Sequence, residues 1–128
     1  MKVSIITVCY NAAATLKQTI ESVLAQDYPN VEYWVIDGGS KDGTKELLES
    51  FGSRVNFISE SDKGIYDAFN KGLSRVSGEV VGVIGADDFY PSNDVISQVV
   101  QSFEQSQVDA VYGDLQFIDP VSLKVVRQ

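Results

Sequence analysis

Runs of β-branched apolar residues alternate along this chain with segments of helical periodicity, and that alternation limits the fold more than any other feature. Residues 3–8 (VSIITV) read as a strand buried on both faces, because such strands lack the polar alternation of a half-exposed sheet. A helix is expected over 12–25, with Leu16, Ile20, Val23 and Leu24 on one face and Asn11 placed to cap it. Tyr28-Pro29-Asn30 breaks the chain before a second strand, 31–36. The 38–43 loop leads into a short helix carrying Leu47, Leu48 and Phe51. A third strand follows at 55–58 and a third helix at 65–76, with Ile65, Phe69, Leu73 and Val76 aligned. Residues 80–84 form a fourth strand, and 95–103 lie in a fourth helix with Ser92 or Asn93 as cap. Residues 110–112 are a fifth strand, and the tail over 115–126 reads as a β-hairpin turning at Asp119-Pro120. Strand–helix alternation predicts an α/β fold, a mostly parallel central sheet with helices on both faces, in a single domain over 1–128.

Composition narrows the chemistry. With 44% hydrophobic and 22% charged residues among 128, the chain has the balance of a globular domain with a core of its own. No apolar run approaches the ~20 residues of a membrane helix. The first residues lack the long apolar stretch and small-residue cleavage site of a signal peptide. Cys9 alone makes no internal disulfide, and no Cys/His cluster is present to hold zinc. The expected compartment is the cytoplasm, with any membrane association resting on segments outside this sequence. The absence of histidine excludes a Ser-His-Asp triad within the chain. Ten basic residues face eighteen acidic ones, a net charge of −8, which repels nucleic-acid phosphates, so no nucleic acid is expected as partner. A phosphorylated ligand would need a cation between it and the protein, and a divalent metal held by carboxylates is the natural choice.

The acids fall where such a site would be. The second strand ends at Asp37, Glu60 and Asp62 follow the third, Gly85-Ala86-Asp87-Asp88 ends the fourth, and Gly113-Asp114 the fifth. Open parallel sheets bind ligands outside the carboxyl ends of their strands. Any one of these residues reads equally well as a turn or cap residue, but the set points to a common site. Asp87-Asp88 is its sharpest element. Adjacent carboxylates repel and are best tolerated beside a cation, and magnesium or manganese is often held by one or two carboxylates plus substrate phosphates. A helix cap explains the pair less well, since the next helix starts after Pro91.

The remaining motifs leave alternatives open. Residues 38–44 (GGSKDGT) form a glycine-rich turn through which backbone amides can approach a phosphate. It nearly spells a P-loop, but Lys45 follows the second glycine one residue late, and the segment reads equally as a tight turn. Tyr10 ends the first strand, where an aromatic can pack on a nucleobase or simply be part-buried core. Tyr66 and Asn70 lie one turn apart on the third helix, beside Asp62 and Lys63. They line the same crevice or form an ordinary amphipathic face. Cys9 reads as a small buried hydrophobe.

These segments together resemble family-two glycosyltransferases. Residues 3–11 (VSIITVCYN) and 36–44 (IDGGSKDGT) resemble the family's opening motifs. Residues 59–72 (SESDKGIYDAFNKG) and 85–88 (GADD) resemble the next two, in the family's order and over nearly the whole chain. The similarity is strongest to the bacterial branch that builds exopolysaccharide and lipopolysaccharide, colanic-acid-type enzymes included. The resemblance implies a GT-A fold that binds a nucleoside-diphosphate sugar with Mg²⁺ or Mn²⁺, inverts the anomeric centre and serves a glycan or lipid-linked acceptor. It implies donor contacts from Tyr10, Asn11, Asp37, Ser40, Asp62, Tyr66, Asn70 and Asp87, the nucleoside meeting Tyr10 and Asp37. The metal would lie at Asp88 and Asp87. Gly38 stands where many relatives carry a second Asp, which leaves the choice of base open, and Gly85 stands at the first position of the family's D-x-D. Relatives continue well beyond this length, so the acceptor-binding half and its general base are expected outside the sequence. Asp114, the one late strand-end acid, reads as lining the site or capping the tail more than as the base. Two rival readings are a non-catalytic nucleotide-binding module working with a partner chain and an NTPase with a displaced P-loop. A sheet edge left open would also suit a second copy of the chain.

Overall fold

The strand β1 (Val3–Cys9) has a parallel partner on each side. It pairs with β2 (Val31–Asp37) in a register running from Val3↔Val31 to Cys9↔Asp37. On its other side lies β4 (Val80–Val83), from Val3↔Val80 to Ile6↔Val83. Beyond β2 lies β3 (Asn56–Ser59), with Asp37↔Ser59 as the last pair. The order is therefore β3-β2-β1-β4 with every pairing parallel, as the sequence predicts. A computed structural model describes residues 1–127. The chain divides into two compact units, Met1–Gln98 and Val99–Gln128.

Helices flank the sheet of the first unit. On one face Ile6 and Ile36 meet Ala68 of α3 (Ile65–Leu73), ringed by Val8, Trp34, Ile58, Phe69 and Val76. Gly72 lets α3 settle there, since a β-carbon on it would stand 2.9 Å from the Ile6 Cγ2. Strand alternation turns Ile5, Tyr33 and Val35 the other way, and they are just as deeply buried. The buried residues Leu16, Ile20 and Val23 of α1 (Leu16–Leu24) and Leu48 of α2 (Thr44–Ser50) supply further apolar surface. No described helix is long and apolar enough to cross a membrane.

Three expectations are corrected. Asn11 does not cap α1: its φ is 51°, outside the extended region a capping residue needs, and its Oδ1 accepts from the Lys41 amide at 3.1 Å. The helix proper starts later than 12, after a turn whose Ala12 carbonyl accepts from the Leu16 amide at 2.9 Å. At the start of α4 (Val95–Ser106) neither Ser92 nor Asn93 holds the cap position. The Asp94 carbonyl takes the Gln98 amide at 3.0 Å, and Gln26 Oε1 takes the Ile96 amide at 3.0 Å. Residues 110–112 are irregular rather than a strand, with Tyr112 left 94% exposed and so without a covered face. The tail hairpin is as predicted. β5 (Phe117–Ile118) pairs antiparallel with β6 (Val125–Arg127), and the Asp119 carboxylate accepts from the Val121 and Ser122 amides at the turn.

The amino ends of β1 and β4 are joined through buried Ser4. Its Oγ donates to Glu32 at 2.6 Å and accepts from the Gly78 amide at 2.8 Å, while the Ser77 amide donates to Glu32 at 2.9 Å. A β-carbon on Gly78 would lie 2.8 Å from the Ser4 amide nitrogen and 2.9 Å from the Lys2 carbonyl, both rigid backbone. Gly78→Ala is therefore expected to cost about 1–3 kcal/mol through overpacking, read as a lower urea midpoint. Burial alone would raise the Glu32 carboxyl, but hydrogen bonds from Ser4 and Ser77 outweigh it and hold the group below its ordinary value. A depressed folded-state value means stability that is present above about pH 4.3 and is lost as pH falls further. Glu32→Gln should flatten that acid-side loss in urea titrations between about pH 6 and pH 3.

Candidate functional site

Because every strand in the first unit runs the same way, their carboxyl ends share one edge, and the loops leaving that edge are tied to one another. The β1 and β2 loops are stitched by side chain to backbone. The Asn11 amide donates to Ser40 Oγ at 2.7 Å, the Ala12 amide to Thr44 Oγ1 at 3.1 Å and the Ala13 amide to Asp42 at 3.1 Å. Asp42 in turn accepts from the Thr44 amide and hydroxyl. These bonds, led by that from the Thr44 hydroxyl, hold its carboxyl below the ordinary range. Beneath them Asp37 is fully enclosed. Its carboxylate accepts from the Ser40 amide at 3.0 Å, from Ser59 Oγ at 2.8 Å and from the Ser40 hydroxyl, with Cys9 Sγ at 3.5 Å. Burial first, and Asp37 second, keep the Cys9 thiol protonated, which removes it as a nucleophile.

The β3 loop is braced on α3. Asp62 accepts from the Gly64 amide at 3.0 Å, Asp67 from the Lys63 amide at 2.9 Å, and Lys71 reaches the Ser61 carbonyl at 3.0 Å and Glu60 at 3.2 Å. The other oxygen of Asp62 points at Gly38, where a β-carbon would stand only 2.8 Å from it. The β4 loop shows the same relation. A β-carbon on Gly85 would meet Asp88 Oδ2 at 2.7 Å and Asp87 Oδ1 at 3.3 Å, so both carboxylates converge over that glycine. Partial burial, and after it the Asp87 charge, raise the Asp88 carboxyl above its ordinary value.

The donor set fits magnesium or manganese, which take hard oxygens and usually complete their shell with water and substrate phosphates. Two converging carboxylates, one of them already resisting its negative charge, suit such an ion. Among the described residues no group of three or more His, Cys, Asp or Glu side chains is placed to hold a metal ion.

Residues 4–128 match the family described as Glycosyl transferase family 2. The chain belongs to that family. It is 33% identical over 123 residues to an uncharacterized glycosyltransferase of Nostoc sp., covering 93% of this chain and 38% of the relative. It is 33% identical over 117 residues to a PGL/p-HBAD biosynthesis glycosyltransferase of Mycobacterium bovis, covering 88% and 46%. The chain thus spans less than half the length of either. Among solved structures it is similar to the mannosyltransferase PcManGT from Pyrobaculum calidifontis in complex with GDP-Man and Mn²⁺, with TM-score 0.77 and 26% identity over 84% of this chain and 33% of that one. The fold is also that of S. aureus TarS, with TM-score 0.75 and 20% identity over 91% and 38%. The α/β architecture with its parallel sheet is that of GT-A nucleotide-sugar transferases.

Within this family-two site the expected residues divide by what their side chains are free to do. Tyr10 (64% exposed) and Tyr66 (82% exposed) stand open to solvent, as do Asn70, Asp87 and Asp88. Asp62 lies half-buried against Gly38. Asp37 is enclosed, and Asn11, Asp37 and Ser40 all have side-chain acceptors engaged within the protein, which gives each a structural role whether or not it also meets a donor. Asp114 lies in an exposed, irregular stretch of the second unit. The strand it was expected to end is not formed. Sequence reasoning missed Asp42, Thr44 and Ser59, whose partners lie 22 to 32 residues away in sequence. It also missed Thr15 and Thr19, although their spacing on α1 was visible. Given that structural role, Asp37→Ala leaves buried hydroxyls unpaired and should cost upward of about 2 kcal/mol without any ligand present. A residue that served only to contact the donor would leave the ligand-free melting curve unchanged.

Proposed function

We propose that this chain binds a nucleoside-diphosphate sugar together with Mg²⁺ or Mn²⁺, as the donor side of an inverting glycosyltransferase. The observation that carries the reading is the convergence of Asp87 and Asp88 over Gly85, on the same sheet edge as exposed Tyr10 and half-buried Asp62. A protein with net charge −8 needs a cation there before it can hold a diphosphate. When bound, such an ion neutralises charge that develops on the departing diphosphate. Asp87 and Asp88 would hold it, Tyr10 would pack on the base, and Tyr66 and Asn70 would line the crevice. Inversion is the outcome of a single in-line displacement. An acceptor hydroxyl attacks the anomeric carbon, its proton passes to a base, and the bond to the diphosphate breaks on the opposite side. The solved mannosyltransferase with GDP-Man and Mn²⁺ supports this class of donor and metal. The acceptor would be a glycan or a lipid-linked sugar in cell-surface polysaccharide assembly, reached from the cytoplasm.

Calorimetry with GDP and with UDP, each with and without Mn²⁺, tests the reading. Binding by at least one diphosphate is expected with Mn²⁺ and lost on chelation with EDTA. Asp88→Asn should weaken the metal-dependent part by about tenfold or more. Equal binding with and without metal, or loss on Lys45→Ala with Asp88→Asn intact, would favour the displaced P-loop instead.

A further inference from the structure

One face of α1 is apolar and enters the core, and a second stripe on the same helix is polar and grips the loop that carries Asp87 and Asp88. Thr15 Oγ1 donates to the Ala86 carbonyl at 2.9 Å, and Thr19 Oγ1 donates to the Asp88 carbonyl at 2.6 Å. One turn on, Ser22 Oγ accepts from the Tyr90 amide at 3.1 Å. Gln26 then donates to the Ser92 carbonyl at 2.7 Å and accepts from the Ile96 amide at 3.0 Å. Thr19 and Ser22 lie within α1 and share one face of it. Thr15 is its N-terminal flanking residue and Gln26 follows its end, so the four contacts run along one side of the helix and past both its ends. The loop contacts advance in the same order, so the segment from Ala86 to Ile96 is laid along the helix as on a template. The loop's own contribution at its start is the turn in which the Asp88 amide donates to the Gly85 carbonyl at 3.1 Å.

Thr19 is the member that fixes the acids. It is fully buried, so its hydroxyl has one rotamer environment and no competing water, and its bond ends on the backbone of Asp88 itself. With the carbonyls of residues 86 and 88 both drawn to α1, the backbone of the two acids is fixed at both ends, and their carboxylates meet over Gly85. We infer that Thr19, seconded by Thr15, is a positioning residue that presents Asp88 to the divalent cation through a hydrogen bond to its main chain. The inference rests on the metal-binding reading above. Supporting partners of this kind matter because a metal site gains affinity from ligands whose orientation is already set.

The test compares Thr19→Val, which keeps the shape and removes the donor, with Thr19→Ser, which keeps the donor. Two quantities are measured on the full 128-residue chain: Mn²⁺ affinity with no nucleotide present, by loss of the free-ion EPR signal, and amide exchange of residues 86–90 without metal. Thr19→Val is expected to weaken Mn²⁺ binding about tenfold and to speed exchange in that loop, while Thr19→Ser stays near wild type in both. Thr19→Val binding Mn²⁺ as wild type does, or Thr19→Ser failing as badly as Thr19→Val, would overturn the inference. Should Thr19→Val not fold, Thr15→Val at an exposed position carries the same comparison, and unchanged Mn²⁺ affinity and loop exchange there count against it. If wild type binds no Mn²⁺ and loop exchange still rises in Thr19→Val, the metal reading fails while the placement of the loop by α1 stands.

Discussion

The interaction on which the first unit depends is the parallel pairing of β1 with β2 and β4, because β1 has neither a free edge nor a free face. All seven of its residues pair with β2, the first four pair with β4 as well, and almost all are buried. Such a strand tolerates only side chains that pack or that find a partner inside, as Ser4 does with Glu32 and Thr7 with Tyr33. Parallel pairing also decides where polarity can appear. Chain direction is shared, so each strand emerges from the core on the same side, and polar residues just past the strand ends are gathered without any residue being selected for proximity in sequence. That Tyr10, Asp62 and Asp88 lie past strand ends on one sheet edge is a consequence of topology before it is one of chemistry.

An acidic chain has to decide which of its carboxylates stay charged in public. Here many are occupied with backbone. Asp37 holds Ser40, Asp42 and Asp67 hold loop amides, and Glu32 holds Ser4 and Ser77. Those bonds turn negative charge into loop geometry, and in Asp42 and Glu32 they also favour the charged form. The carboxylates of Asp87 and Asp88 sit side by side instead, and partial burial disfavours the charge on Asp88. The contrast separates acids that hold the scaffold from a pair of neighbouring carboxylates gathered over Gly85 more sharply than composition does.

How much of this was legible in the sequence follows from the range of each interaction. The strands and helices of the first unit could be read because their signal is local periodicity, while adjacent like charges single out Asp87-Asp88, whose carboxylates the structure brings together over Gly85. The resemblance implies donor contacts from Asn11, Asp37 and Ser40, but nothing in the sequence reveals that their side chains also have partners such as Lys41 or Ser59 within the protein. The strand expected at 110–112 failed for the complementary reason. A short β-branched run records propensity, and propensity yields when no neighbour is there to pair with. The polar stripe of α1 lay between these cases. Thr15, Thr19, Ser22 and Gln26 were spaced to be seen, but a helix is usually read for its apolar face and its other residues are assumed to meet water.

Gly38 and Gly85 share one property with a consequence for how this site can change over time. At each, the room a side chain would need is already filled by the carboxylate of another residue, Asp62 in one case and Asp88 in the other. A side chain added at either glycine therefore requires the facing carboxylate to swing aside, so the effect of a substitution at Gly38 or Gly85 is expected to depend on which residue stands at 62 or 88.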